Sequence, residues 1–172
     1  LTEESSGRWK PTPEVLELDV NDQGQVDQLA ETWKKRWGRL DGFVHAIAFA
    51  PTDALGGNFL TAPWESVQTA FRTSSYSLKA MAQSLNPLMR EQGGAIVTLD
   101  FDNSTQAWPV YDWMGVCKAA LASVTRYLSR DLGKYQIRVN ALAAAPLAPM
   151  AAKGIPGFDH FRPTWADLSP PA

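Results

Sequence analysis

Cysteine is almost missing from these 172 residues: Cys117 stands alone. An intrachain disulfide framework is thereby excluded, and a reducing cytosol, hence a cytoplasmic protein, is expected. Blocks of one charge are missing too. The 16 Lys and Arg are dispersed among 18 Asp and Glu, for a formal net charge of −2, so no nucleic-acid partner is expected. No apolar run approaches the roughly 18 residues of a membrane span, and no membrane association is expected. The start, Leu1-Thr-Glu-Glu-Ser-Ser, is polar and acidic, unlike a signal peptide. Without such a signal, the Asn103-Ser104-Thr105 sequon reads as coincidence. Internal repeats and low-complexity tracts are absent, and no metal site is expected.

What remains is an ordinary globular composition, 45% hydrophobic and 20% charged, enough for one domain over residues 1–172. Val15-Leu-Glu-Leu-Asp19-Val20 alternates as a short strand would. Asn21 or Asp22 can cap a helix carrying Val26, Leu29, Ala30, Trp33 and Trp37, with Gly38 as its stop. The apolar run Phe43–Phe49 predicts a strand buried on both faces of a parallel sheet. Pro63 opens a long helix ending near Pro87. Gly93-Gly94 precedes a strand from Ala95 to Asp100, a helix runs from about Tyr111 to Leu132, and Ile137–Leu142 is the next strand. The proline-rich tail from Ala143 has little periodicity. Strand and helix in steady alternation imply right-handed βαβ units and a parallel α/β sheet.

The sharpest constellation is Tyr111-Asp-Trp-Met-Gly-Val-Cys-Lys118. Residues seven apart on a helix lie about two turns apart and point from nearly the same face. A phenol and an ammonium so placed suit a reductase that delivers hydride to an activated double bond. Hydride addition leaves negative charge on a thioester oxygen, which the phenol can hydrogen-bond. The ammonium can hold the ribose hydroxyls of a nicotinamide nucleotide. The spacing alone also fits a surface pair on a helix, so the neighbourhood decides. Just upstream, Leu99-Asp100-Phe101-Asp102 lies at a strand's carboxyl end, where open α/β sheets place their ligands.

On these motifs the run Ala95–Leu142 resembles the NADH-dependent enoyl-(acyl-carrier-protein) reductases of the short-chain dehydrogenase/reductase family, the actinobacterial type above all. Taken from Val15 to Phe158, the resemblance implies a three-layer Rossmann-like parallel sheet with helices on both faces. It implies NADH (NAD+) as cofactor, an enoyl substrate linked to acyl carrier protein, and a homotetramer. Carried over residue by residue, Tyr111 would bond the thioester carbonyl, Lys118 the nicotinamide ribose, and Phe101 would line the reaction pocket. Asp19 and Val20 would contact adenine, and Ala46, Ile47 and Ala48 the adenosine ribose, with Ala48 where glycine is usual. Phe49, Leu55, Phe101, Tyr111 and Met114 would line the acyl site, and Pro146 and Leu147 the pyrophosphate end. Asp19, without Lys or Arg between Lys10 and Lys34, implies NADH over NADPH. His45, inside a strand, reads as structural.

Two readings stay beside the enoyl reductase. One is a carbonyl-reducing relative, against which Tyr-x6-Lys argues, since such enzymes carry Tyr-x3-Lys. The other is a truncated or degenerate homologue without catalysis. The family's glycine-rich pyrophosphate turn and final strand are not in the sequence, and Pro149 stands where a phosphate-binding Thr is usual. The sequence therefore implies an incomplete domain, and the isolated chain is expected to be inactive and to bind NADH poorly.

Overall fold

Asp22 begins the first helix by the means its sequence position suggests. Its Oδ1 accepts from the backbone N–H of Gly24 at 2.8 Å and of Gln25 at 3.3 Å. Helix α1 spans Gln23–Trp37 and stops at Gly38, whose φ of 72° suits a residue without a side chain. The computed structural model describes residues 10, 12–101 and 106–143. Among these, α1 is followed by strand β1 (Gly42–His45), helix α2 (Trp64–Phe71), a π turn (Arg72–Tyr76) and helix α3 (Ser77–Leu85). Strand β2 (Gly94–Asp100), helix α4 (Asp112–Gly133) and strand β3 (Ile137–Ala143) complete the order.

The strands form one parallel sheet in the order β1-β2-β3. Its register explains the core. Phe43, Ile96 and Val139 share a row, and they pack with Leu78 and Ala82 of α3 and with Leu121 of α4. The next residue along each strand points the other way. The row Val44–Val97–Asn140 holds no buried residue, and Val44 is 63% exposed. The Rossmann-like parallel sheet is thus present with one helical layer; among the described residues the layer on the opposite face is not seen.

Three expectations are corrected. Residues 15–20 form no strand, because no ladder partner lies beside them among the described residues. Leu18 and Val20 instead pack against the cluster of Val26, Met81 and Leu85. The strand expected over 43–49 ends at His45 and is buried on one side only. Beyond it, the N–H and C=O of Phe49 are both taken by the Ser74 hydroxyl rather than by a neighbouring strand. The long helix from Pro63 is interrupted by the π turn, where Ser77 N–H reaches back to Arg72 O. Asp102, Pro146, Leu147, Pro149 and the expected substrate loop at 151–158 lie outside the described residues.

Candidate active site

The carboxyl ends of β1 and β2 open toward the start of α4, and the candidate residues gather there. Lys118 sits on the face of α4 that also buries Met114, Cys117 and Leu121. Only 7% exposed, it donates from Nζ to the backbone oxygen of Leu99 at 2.5 Å. Burial pulls its pKa below the usual lysine range, and the nearby Asp100 carboxylate and Cys117 work in the opposite direction. An ammonium has three donors, so Leu99 does not exhaust it.

Tyr111 caps α4 rather than lying within it. Its neighbours Val110 and Asp112 have φ of 57° and 41°, a region that a β-branched residue rarely enters. This backbone is held from the side. Gly56 N–H donates to Val110 O at 2.9 Å, while Asp112 Oδ2 accepts from Gly57 N–H at 2.6 Å and Asn58 N–H at 3.1 Å. Trp113 stacks on Phe59 at 4.9 Å between ring centroids and donates to its carbonyl. The loop before α2 is therefore docked on the candidate phenol's own turn.

The Tyr111 ring meets Phe101 edge to face at 5.2 Å, and Phe101 meets Trp108 at 5.4 Å. Burial first, then Asp100 and Cys117, raise the Tyr111 pKa well above its ordinary value. At neutral pH the phenol is a hydrogen-bond donor. Leu55, Ala70, Met114 and Cys117 form an apolar cluster against Tyr111. Burial pushes the Cys117 thiol up to about 11, which leaves it protonated and a poor nucleophile. The structure thus brings Phe101, Tyr111, Leu55 and Met114 together, with Lys118 one strand residue from Asp100.

The other candidates lie outside this group, on the turn beyond β1 and ahead of α1. Ala46 and Ala48 are exposed in the turn beyond β1, Ile47 is half-buried and Phe49 is 54% exposed. Asp19 is exposed; its Oδ1 accepts from Asn21 N–H at 2.9 Å, and its own N–H donates to Gln25 Oε1. Val20 is half-buried. Sequence reasoning missed Asp112, Trp108 and the π turn. The run Thr73-Ser74-Ser75-Tyr76-Ser77 was the available signal, four hydroxyl residues on the buried side of a helix.

Asp112→Ala removes one acceptor from two loop N–H groups. Stability is expected to fall by about 1–2 kcal/mol, with faster amide exchange at Gly57 and Asn58. Asp112→Asn, which keeps an acceptor, should lose less. Equal stability of the alanine variant would show that the loop docks by other means.

His45 is structural, as its place in a strand suggested. Fully buried, it bonds Thr98 Oγ1 through Nδ1 at 3.0 Å and Ser77 Oγ through Nε2 at 2.8 Å. Burial, with a smaller push from the Lys118 ammonium, lowers its pKa from 6.5 to about 4. Between those values the unfolded chain binds a proton that the folded one does not. The stability His45 contributes is therefore complete above about pH 6.5 and lost as pH falls toward 4. At pH 5 the loss amounts to roughly 2 kcal/mol. Urea unfolding at pH 7 and pH 5 measures it, and His45→Gln should flatten the difference.

A parallel sheet whose central strand ends beside a Tyr–Lys helix defines a Rossmann-like α/β class. The sequence profile of the enoyl-(acyl carrier protein) reductase family matches residues 2–171, and the chain belongs to that family. It is 41% identical over 144 residues to the enoyl-(acyl-carrier-protein) reductase (NADH) of Synechocystis, covering 84% of this chain and 55% of that protein. The corresponding reductase of Mycolicibacterium smegmatis is 41% identical over 152 residues, covering 86% of this chain and 55% of its own. Among solved structures, the Aquifex aeolicus enoyl-(acyl-carrier-protein) reductase (NADH) aligns with a TM-score of 0.84 at 37% identity, over 88% of this chain and 59% of that one. The chain spans about half the length of the curated relatives it matches.

Proposed function

We propose that the protein carrying this chain reduces trans-2-enoyl thioesters of acyl carrier protein with NADH, in fatty acid biosynthesis. One observation carries the reading: a half-buried, protonated Tyr111 set edge-on to Phe101 at the end of β2, with the Lys118 ammonium held at Leu99 of the same strand. The names of the relatives agree with it.

The residues present fit a dinucleotide. Lys118 keeps donors for ribose hydroxyls, Ala46 and Ala48 are exposed beside the end of β1, and Asp19, assigned to adenine, is exposed. When bound, NADH supplies the hydride. Tyr111 Oη donates a hydrogen bond to the thioester oxygen as negative charge develops there, and its aligned donor needs no rearrangement during the reaction. Lys118 anchors the ribose and keeps the local potential positive. Leu55, Met114 and Phe101 exclude water from the acyl side, with Phe49 at the mouth.

Carbonyl reduction is disfavoured, because position 115, where such enzymes carry the lysine, is Gly115. A cytoplasmic homotetramer belongs to the proposal. Exposed Trp64 and Phe71 on α2 and Val116 on α4 are apolar surface that a partner subunit would cover. Loss of NADH absorbance on mixing the full-length protein with a trans-2-enoyl thioester tests the activity. Oxidation of NADH by a 3-ketoacyl thioester alone would reverse the assignment.

A further inference from the structure

Four consecutive side chains of the π turn reach three different segments of the candidate site. Arg72 donates to Asn21 O at 2.5 Å, and Thr73 Oγ1 accepts from Asn21 Nδ2 at 3.0 Å. Ser74 Oγ accepts from Phe49 N–H at 2.9 Å and donates to Phe49 O at 2.8 Å. Ser75 Oγ donates to the carbonyl of Cys117, the residue before Lys118, at 2.7 Å. Ser74 and Ser75 are both fully buried.

A plain α-helix points two successive side chains about 100° apart, and a wider π turn changes that spread. Here it lets neighbouring hydroxyls serve the turn after β1 on one side and α4 on the other. Among the described residues the segment ending at Phe49 has no strand neighbour, and Ser74 bonds both of the backbone polar groups of Phe49. Buried groups left unbonded are costly, which holds these contacts in place.

We propose that the π turn sets the spacing between the turn 46–50 and the Tyr–Lys helix, with Ser74 as the positioning residue that presents that turn to the nucleotide. The inference rests on the NADH-dependent reading above. It assigns Ser74 an effect on nucleotide binding, exerted through Phe49, rather than on the chemical step.

The test compares wild type, Ser74→Ala and Thr125→Val in the full-length protein. Thr125 is a buried control whose hydroxyl, among the described residues, bonds the Leu121 carbonyl of its own helix. Ser74→Ala should raise the NADH Kd, read by nucleotide fluorescence, about five- to ten-fold, the worth of one net hydrogen bond. Turnover at saturating NADH should stay within about two-fold, and the amide of Phe49 should exchange faster. Thr125→Val should lose stability without moving the Kd. Should Ser74→Ala fail to fold, exchange in the wild type decides, because NADH must then protect the amides of Phe49 and of Arg72–Tyr76. Unchanged Kd in a folded Ser74→Ala protein, or no such protection in the wild type, overturns the proposal alone. A wild type that does not bind NADH overturns the functional reading together with it.

Discussion

Tyr111→Phe in the full-length enzyme is expected to lower kcat about 100- to 1000-fold while leaving the NADH Kd within two-fold. The phenol's place explains both halves. Its hydroxyl is the only part lost, and the ring that packs on Phe101 and the Leu55–Met114 cluster is retained, so the fold and the pocket walls stay as they are. In the proposed role, what would disappear is a donor to charge that exists chiefly in the transition state. Deleting such a donor costs about 2.7–4 kcal/mol. Because burial keeps the phenol protonated, the wild-type rate should show no Tyr111 ionisation across the neutral range. Steady-state rates with a trans-2-enoyl thioester, alongside nucleotide titration, separate the two effects. Undiminished turnover in the phenylalanine variant would remove Tyr111 from the reaction.

Lys118→Ala should fail at an earlier stage. The ammonium is buried and already anchored at Leu99 O, so in the proposed role it would meet the nucleotide as a fixed donor rather than as a flexible surface chain. A charged hydrogen bond of this kind contributes roughly 1.5–3 kcal/mol, which corresponds to an NADH Kd about 10- to 150-fold higher. Lys118→Arg is not expected to restore it, since Lys118 is only 7% exposed and a planar guanidinium does not copy a compact point charge. An alanine variant with wild-type NADH affinity would show that Lys118 acts on substrate or on Tyr111 instead.

The sequence was most informative where chemistry and periodicity coincide. Asn21 or Asp22 and Gly38 marked the ends of α1, and the structure settles the cap on Asp22, because these roles are local: a carboxylate on free N–H groups and a left-handed stop. The strands at Ala95 and Ile137 were legible from apolar runs bounded by glycine. Phe43–Phe49 misled for a physical reason, since an apolar run says that a segment is near the core and not that it has a ladder partner. Beyond His45, the backbone of Phe49 is met by the Ser74 hydroxyl, far away in sequence, rather than by a strand. The same holds for the site. Tyr111 and Lys118 could be found from spacing and chemistry, whereas Asp112 and Ser74 act through backbone groups of distant segments. Val110, strained beside Tyr111, carries no sequence mark at all.

The π turn also separates two properties that usually fall together on mutation. Relative to an α-helix it holds one residue too many, and it is this surplus that keeps the apolar stripes of α2 and α3 in phase. Straightening the helix at constant length would rotate Leu78, Met81 and Leu85 by about 100° relative to Val67 and Ala70, and so out of their clusters. Excising one residue from 73–75 while the helix straightens would leave both stripes seated. A chain shortened in that way should keep both apolar stripes in register while losing one hydrogen bond to a neighbouring segment, so that in this segment the seating of the core and the tethering of its neighbours respond to length separately.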